Sequence, residues 1–127
     1  MNTENRPVSR IERSVSIHPY FKVRAGSMDV AKGILRDFIA RTSREAGVLY
    51  YEFTIGGDVV FCREAYVDAD AALVHIANVG DVVDRMLGVS ELMRIELHGP
   101  AAELDKLRGP FAAMNPLWFV YECGIGR

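Results

Sequence analysis

The sequence is short of the residues that make metal, redox and nucleotide sites. Its two cysteines, Cys62 and Cys123, are too far apart for a zinc or thiol–disulfide motif and read as free thiols in a reducing compartment. Its three histidines, His18, His75 and His98, show no HxH or HExxH spacing, so no metal site is expected. No serine or cysteine stands in a nucleophile motif. The one glycine pair, Gly56-Gly57, falls between two strand-like runs and does not open a helix, which argues against a phosphate cradle. No apolar run approaches the roughly 20 residues that cross a bilayer. The first stretch, MNTENRPVSRIER, has no apolar segment of the signal-peptide kind. The expectation is a cytoplasmic protein without membrane contact. Basic residues are scattered and the formal net charge is -2, so nothing draws the chain to nucleic acid.

What is present suits one soluble domain. Half of the 127 residues are hydrophobic and 25% are charged, an ordinary globular balance. A chain of this length buries roughly two thirds of its unfolded surface. Residues 1–13 are too polar to pack and are expected to be a mobile tail; residues 14–127 form the domain.

A first strand is expected over Ser14–Ala25, with Ile17, Phe21 and Val23 on one face. Pro19 within it implies a sheet edge or a bulge. Ser27 suits the N-cap of a helix running to about Arg44, whose stripe is Met28, Ala31, Leu35, Phe38 and Thr42. Gly47 is expected to supply a left-handed turn after it. Val48–Ile55 and Val59–Val67 make a hairpin around Gly56-Gly57, since glycine tolerates the positive φ of a tight turn. Asp68 caps a second helix, with a bend expected at Asn78-Val79-Gly80-Asp81. Glu91–His98 is a fourth strand with Met93, Ile95 and Leu97 on one face. Pro100 opens a third helix, and Leu117–Cys123 reads as a fifth strand covered on both faces.

The order βαββαβ, then αβ, predicts an α+β, ferredoxin-like fold with an added helix and strand. Both hairpin strands carry apolar groups on both faces. Helices can cover one face of such a sheet, and a chain this short lacks a second sheet for the other. A second subunit is the simplest cover.

The segments EAGVLYYEF, FCREAYVDADAALVHIAN and IELHGP resemble the antibiotic biosynthesis monooxygenase family of dimeric α/β-barrel proteins. The matching positions are Gly47, Tyr51, Glu52, Glu64, Tyr66, Asp68 and His75, within about Ile17–Pro100. The resemblance implies a homodimer with two sheets facing each other, a cleft between each sheet and its helices, and oxygenation of a small phenolic or quinol-type molecule without a cofactor. Tyr66 stands where the family often has tryptophan. The asparagine and tryptophan of haem-degrading relatives are missing, which argues against that activity.

His75 is the candidate base. Its helical position borders the buried stripe, where an imidazole can take a proton from a phenol or enol; a histidine there can equally just close the core. Tyr51, Tyr66, Asn78 and Glu64 are candidate substrate-binding residues. For Glu64 a structural pairing with Arg94 or Arg24 is the competing role, because a buried carboxylate needs a partner. Trp118 and Phe119 can line the cleft or seal an interface. The alternatives to an oxygenase are a non-catalytic dimeric ligand-binding or stress-type protein and an isomerase or lyase on the same fold.

Overall fold

The structure, a computed structural model, describes residues 13–126. The expected mobile tail therefore lies, apart from Arg13, outside the described residues. The elements are β1 (Val15–Val23), α1 (Met28–Thr42), β2 (Val48–Gly56), β3 (Val59–Tyr66), α2 (Ala69–Leu87), β4 (Ser90–Gly99), α3 (Ala101–Phe111), a 3-10 turn (Ala112–Met114) and β5 (Leu117–Val120). The strands form one sheet in the order β2-β3-β1-β4-β5, antiparallel except that β5 runs parallel to β4. This is the expected ferredoxin-like arrangement with an added helix and strand.

Alternation on the strands sets the core. Val15, Ile17, Phe21 and Val23 of β1 are buried together with Val60, Cys62, Glu64 and Tyr66 of β3. Against this face lie Ala31, Ile34, Leu35 and Phe38 of α1 and Ala72, Val79, Val82 and Met86 of α2. Leu104, Leu107 and Phe111 of α3 close the other end. Burying each such large apolar side chain stabilises the fold by about 1.5–3 kcal/mol.

Several expectations are corrected. Pro19 does not mark an edge, because β1 is the central strand. The ladder to β3 skips His18 and Pro19, which absorbs the missing proline N–H. A bulge does occur opposite: Tyr20 pairs with Arg94 and Phe21 with Leu92, leaving Met93 as the extra residue. The bulge reverses the alternation of β4. Leu92 packs inward with Ile95 and Leu97, while Met93 is 53% exposed.

Helix α2 shows no break at Asn78–Asp81. Buried Val79 and Val82 hold that turn, and the Arg41 guanidinium grips it through the Asn78 carbonyl (3.0 Å) and both Asp81 carboxylate oxygens (2.9 Å each). Asp68 caps the helix by accepting the Ala71 N–H at 2.9 Å, whereas Ser27 occupies the N-cap of α1 without a side-chain hydrogen bond. Positive φ occurs at Gly57 (61°), as a tight hairpin requires, and not at Gly47. Gly47 is instead needed for space: a Cβ there would lie 2.5 Å from the Ala71 Cβ. Strand β5 is shorter than expected and uncovered, with Leu117, Phe119 and Val120 exposed at the sheet edge.

Helices α1, α2 and α3 lie on one face of the sheet. The other face carries ring contacts between Tyr20 and Phe61 (4.6 Å), His18 and His98 (4.6 Å), and His98 and Phe119 (4.5 Å). Arg94 and His98 both pair there with Glu96. Among the described residues, no helix is long and apolar enough to cross a membrane.

Candidate active site

Strand β3 and helix α2 converge on a group of polar side chains inside an otherwise apolar wall. The period of two along β3 turns Cys62, Glu64 and Tyr66 toward the helices. Tyr51 of β2 is the register partner of Glu64. Helix α2 brings His75 over them, with ring centroids 5.0 Å from Tyr51 and 5.1 Å from Tyr66. His75 is 3% exposed and Glu64 4%, so both sit deeper than a helix border.

The imidazole is held from both sides. On one side, His75 Nδ1 lies 2.9 Å from Glu45 Oε2 and 3.2 Å from Oε1. An ionised carboxylate only accepts, so this network assigns the proton to Nδ1 and leaves the Nε2 lone pair on the opposite side. There Nε2 stands 3.5 Å from Glu64 Oε1. Glu45 is itself fixed: Asn78 Nδ2 donates to its Oε2 at 2.8 Å and to the Arg41 carbonyl at 3.0 Å. The Glu45 N–H donates to the Thr42 carbonyl at 3.0 Å. The end of α1, the loop after it and the middle of α2 thus form one latch behind His75.

Among the described residues Glu64 meets no arginine, contrary to the expected pairing. Arg94 is bonded to Glu96 and Arg24 to the Gly88 carbonyl, both away from the site. Instead the Tyr66 hydroxyl donates to Glu64 Oε1 at 2.6 Å. Burial pushes the Glu64 carboxyl above its ordinary range; nearby His75 and the hydrogen bonds from Tyr66 and Cys62 oppose this. Burial, and then the Glu64 charge, drives the Tyr51, Tyr66 and Cys62 groups far above their usual values. These groups stay protonated, and Cys62 is an inert thiol.

A cavity of about 90 Å³ opens beside this group. By the same measure one water needs about 10–15 Å³, so the space takes a small organic molecule. Tyr51, Cys62, Glu64 and His75 form its polar wall, and side chains such as Phe21, Phe53, Val83 and Ile95 its apolar remainder. Of the residues expected at the site, His75, Tyr51 and Glu64 line the cavity. Tyr66 is fully buried behind Glu64, and Asn78 reaches Glu45. Trp118 packs beside Arg108, and Phe119 lies on the outer sheet face.

Glu45 was not legible as a site residue. In sequence it is a charged residue in a loop before a glycine, and only the packing of α1 against α2 brings it to His75, 30 positions on. Among the described residues, no group of three or more His, Cys, Asp or Glu side chains is placed to hold a metal ion.

No protein-family model matches the sequence, and no curated protein sequence does. Solved structures do match. MupZ from Pseudomonas fluorescens is 38% identical, covering 91% of this chain and 95% of its own, with a TM-score of 0.86. A Caulobacter crescentus protein named as a candidate antibiotic biosynthesis monooxygenase is 19% identical over 68% of this chain and 89% of its own, with a TM-score of 0.62. A variant of SnoaB, a cofactor-independent oxygenase from Streptomyces nogalater, is 15% identical over 66% of this chain and 87% of its own, with a TM-score of 0.56.

Proposed function

We propose that the chain, 38% identical to MupZ and alike in fold to antibiotic biosynthesis monooxygenase proteins, oxygenates a small phenolic or quinol-type molecule without a bound cofactor. One observation carries this reading: an imidazole, braced by a buried carboxylate, stands on the wall of an apolar cavity. His75 Nε2 takes the substrate's hydroxyl proton, and Glu45 stabilises the imidazolium that forms. Tyr51, held protonated, donates a hydrogen bond to the resulting anion. The anion then reduces oxygen directly. One oxygen atom enters the ring and the other leaves as water, with all four electrons drawn from the substrate; a hydroquinone would give a hydroxyquinone. Asn78 contributes by positioning Glu45.

The apolar cavity favours an uncharged aromatic ligand over a charged one, because an unpaired charge there would lose its hydration. The reading also includes a cytoplasmic homodimer. The aromatic outer face of the sheet, which α1, α2 and α3 leave open, supports a second copy as its cover. Light scattering at micromolar concentration tests this part, and a monomeric mass would remove it. For the chemistry, oxygen uptake is measured with a panel of hydroquinones. His75→Ala is expected to lower the rate by about 10²-fold or more; equal rates in wild type and variant would take His75 out of the mechanism.

A further inference from the structure

Base-assisted oxygenation leaves one group without a task. Glu64 is a buried carboxyl on the cavity wall, 3.5 Å from His75 Nε2, and among the described residues it pairs with no cation of fixed charge. We propose that Glu64 is a proton donor to the substrate oxygen, and that with His75 it gives the cavity a second activity needing no oxygen: enolisation of small apolar ketones. The proposal rests on the reading of His75 as a base and goes beyond it in naming the acid and the substrate class.

The spacing suits that reaction. In a ketone the carbonyl oxygen and the α-carbon are about 2.4 Å apart, from standard bond lengths. A donor and an acceptor set 3.5 Å apart on one wall can address both atoms of one ligand. His75 Nε2 takes the α-proton, and the C–H bonding pair becomes the new C=C bond. The carbonyl π pair moves onto oxygen, which takes the Glu64 proton. The product is the enol, with His75 cationic and Glu64 anionic. Protons and electrons balance without an oxidant, and reversal returns the ketone with an exchanged α-hydrogen.

The surroundings support both charge states. Before the step, burial favours the neutral form of the Glu64 carboxyl. After it, the carboxylate accepts the Tyr66 hydroxyl at 2.6 Å and faces an imidazolium. The neutral pair becomes an ion pair, so the net charge in the cavity does not change. An apolar ligand with one oxygen function matches the single polar wall.

The test uses 1-indanone in D2O under argon, with loss of the α-proton signal followed by NMR. Wild-type protein is expected to exchange at least about 10²-fold faster than buffer, and Glu64→Gln, which keeps the size of the side chain, to lose about 10²-fold of that rate. Tyr66→Phe, which removes only the hydroxyl behind Glu64, is expected to lose about 10-fold; it serves if the glutamine variant does not fold. Exchange no faster than buffer, or variants equal to wild type, would overturn the proposal. Oxygen uptake from hydroquinones without ketone exchange would leave the oxygenase reading standing alone. Ketone exchange without oxygen uptake would do the reverse.

Discussion

Replacing Gly47 by alanine tests how the loop that carries Glu45 is held. The added Cβ would lie 2.5 Å from the Ala71 Cβ and 3.5 Å from Val67 Cγ2. Carbon atoms pack comfortably at about 3.5–4.0 Å, so β2 and the first turn of α2 must part by about 1 Å. Neither carbon can rotate away, because each is attached directly to backbone. The Val67 N–H also donates to the Gly47 carbonyl at 2.9 Å, so the shift strains that bond as well. Overpacking of this kind costs about 1–3 kcal/mol. With a urea m-value of about 1–3 kcal/mol/M, the midpoint should fall by about 1 M. Protomer concentration must be held constant, since a dimer's stability depends on it. The double variant Gly47→Ala/Ala71→Gly removes the clash. Ala71→Gly alone should cost about 1 kcal/mol, yet the double variant should be more stable than the two single losses predict, by about 1 kcal/mol or more. An unchanged midpoint for Gly47→Ala, or losses that add within about 0.5 kcal/mol, would refute the steric account.

Three further outcomes follow from the same geometry. Asn78→Ala strips one donor from Glu45 and one from the Arg41 carbonyl. It should cost about 1–3 kcal/mol in urea denaturation, and a change under about 0.5 kcal/mol would show the latch to be idle. Because the Glu64 carboxyl is raised in the folded state, its stabilising contribution is complete below the ordinary value of 4.5 and is lost as pH rises toward the raised value. Glu64→Gln should therefore gain on wild type as pH rises above 4.5 when urea midpoints are compared; parallel profiles would contradict this. Burial first, then the charge of His98, lowers the His18 imidazole from 6.5 to about 4, against a smaller opposing pull from Glu96. Its contribution is complete above 6.5 and is lost as pH falls through about 4. His18→Gln should flatten that acid limb in a thermal-melt series, and an identical limb would rule His18 out.

Local pattern determined much of this protein. The spacing of Ala31, Leu35 and Phe38 marks the buried side of α1, and Gly56-Gly57 turns the hairpin because few other residues accept positive φ. Strand alternation places Glu64 and Tyr66 on one face with Cys62. These signals depend on one to four neighbouring residues, so they survive in the bare chain. Where an expectation failed, long-range packing had overruled the local signal. Met93 is turned outward by a bulge that depends on its pairing with β1. The Asn78–Asp81 turn stays helical because Arg41 and the sheet grip it from outside. Gly47 is required by a helix that begins more than twenty residues later in the chain.

The site divides the same way. His75 could be singled out from its helical position and the family resemblance. Its company could not: Glu45 reads as a solvated loop residue until α1 and α2 pack, and Glu64 looks destined for an arginine until β3 turns it under α2. Composition and periodicity decide which face each side chain takes. Only the tertiary structure decides which faces meet, and the protonation of Glu64 depends on that meeting, through loss of water and the approach of His75 and Tyr66.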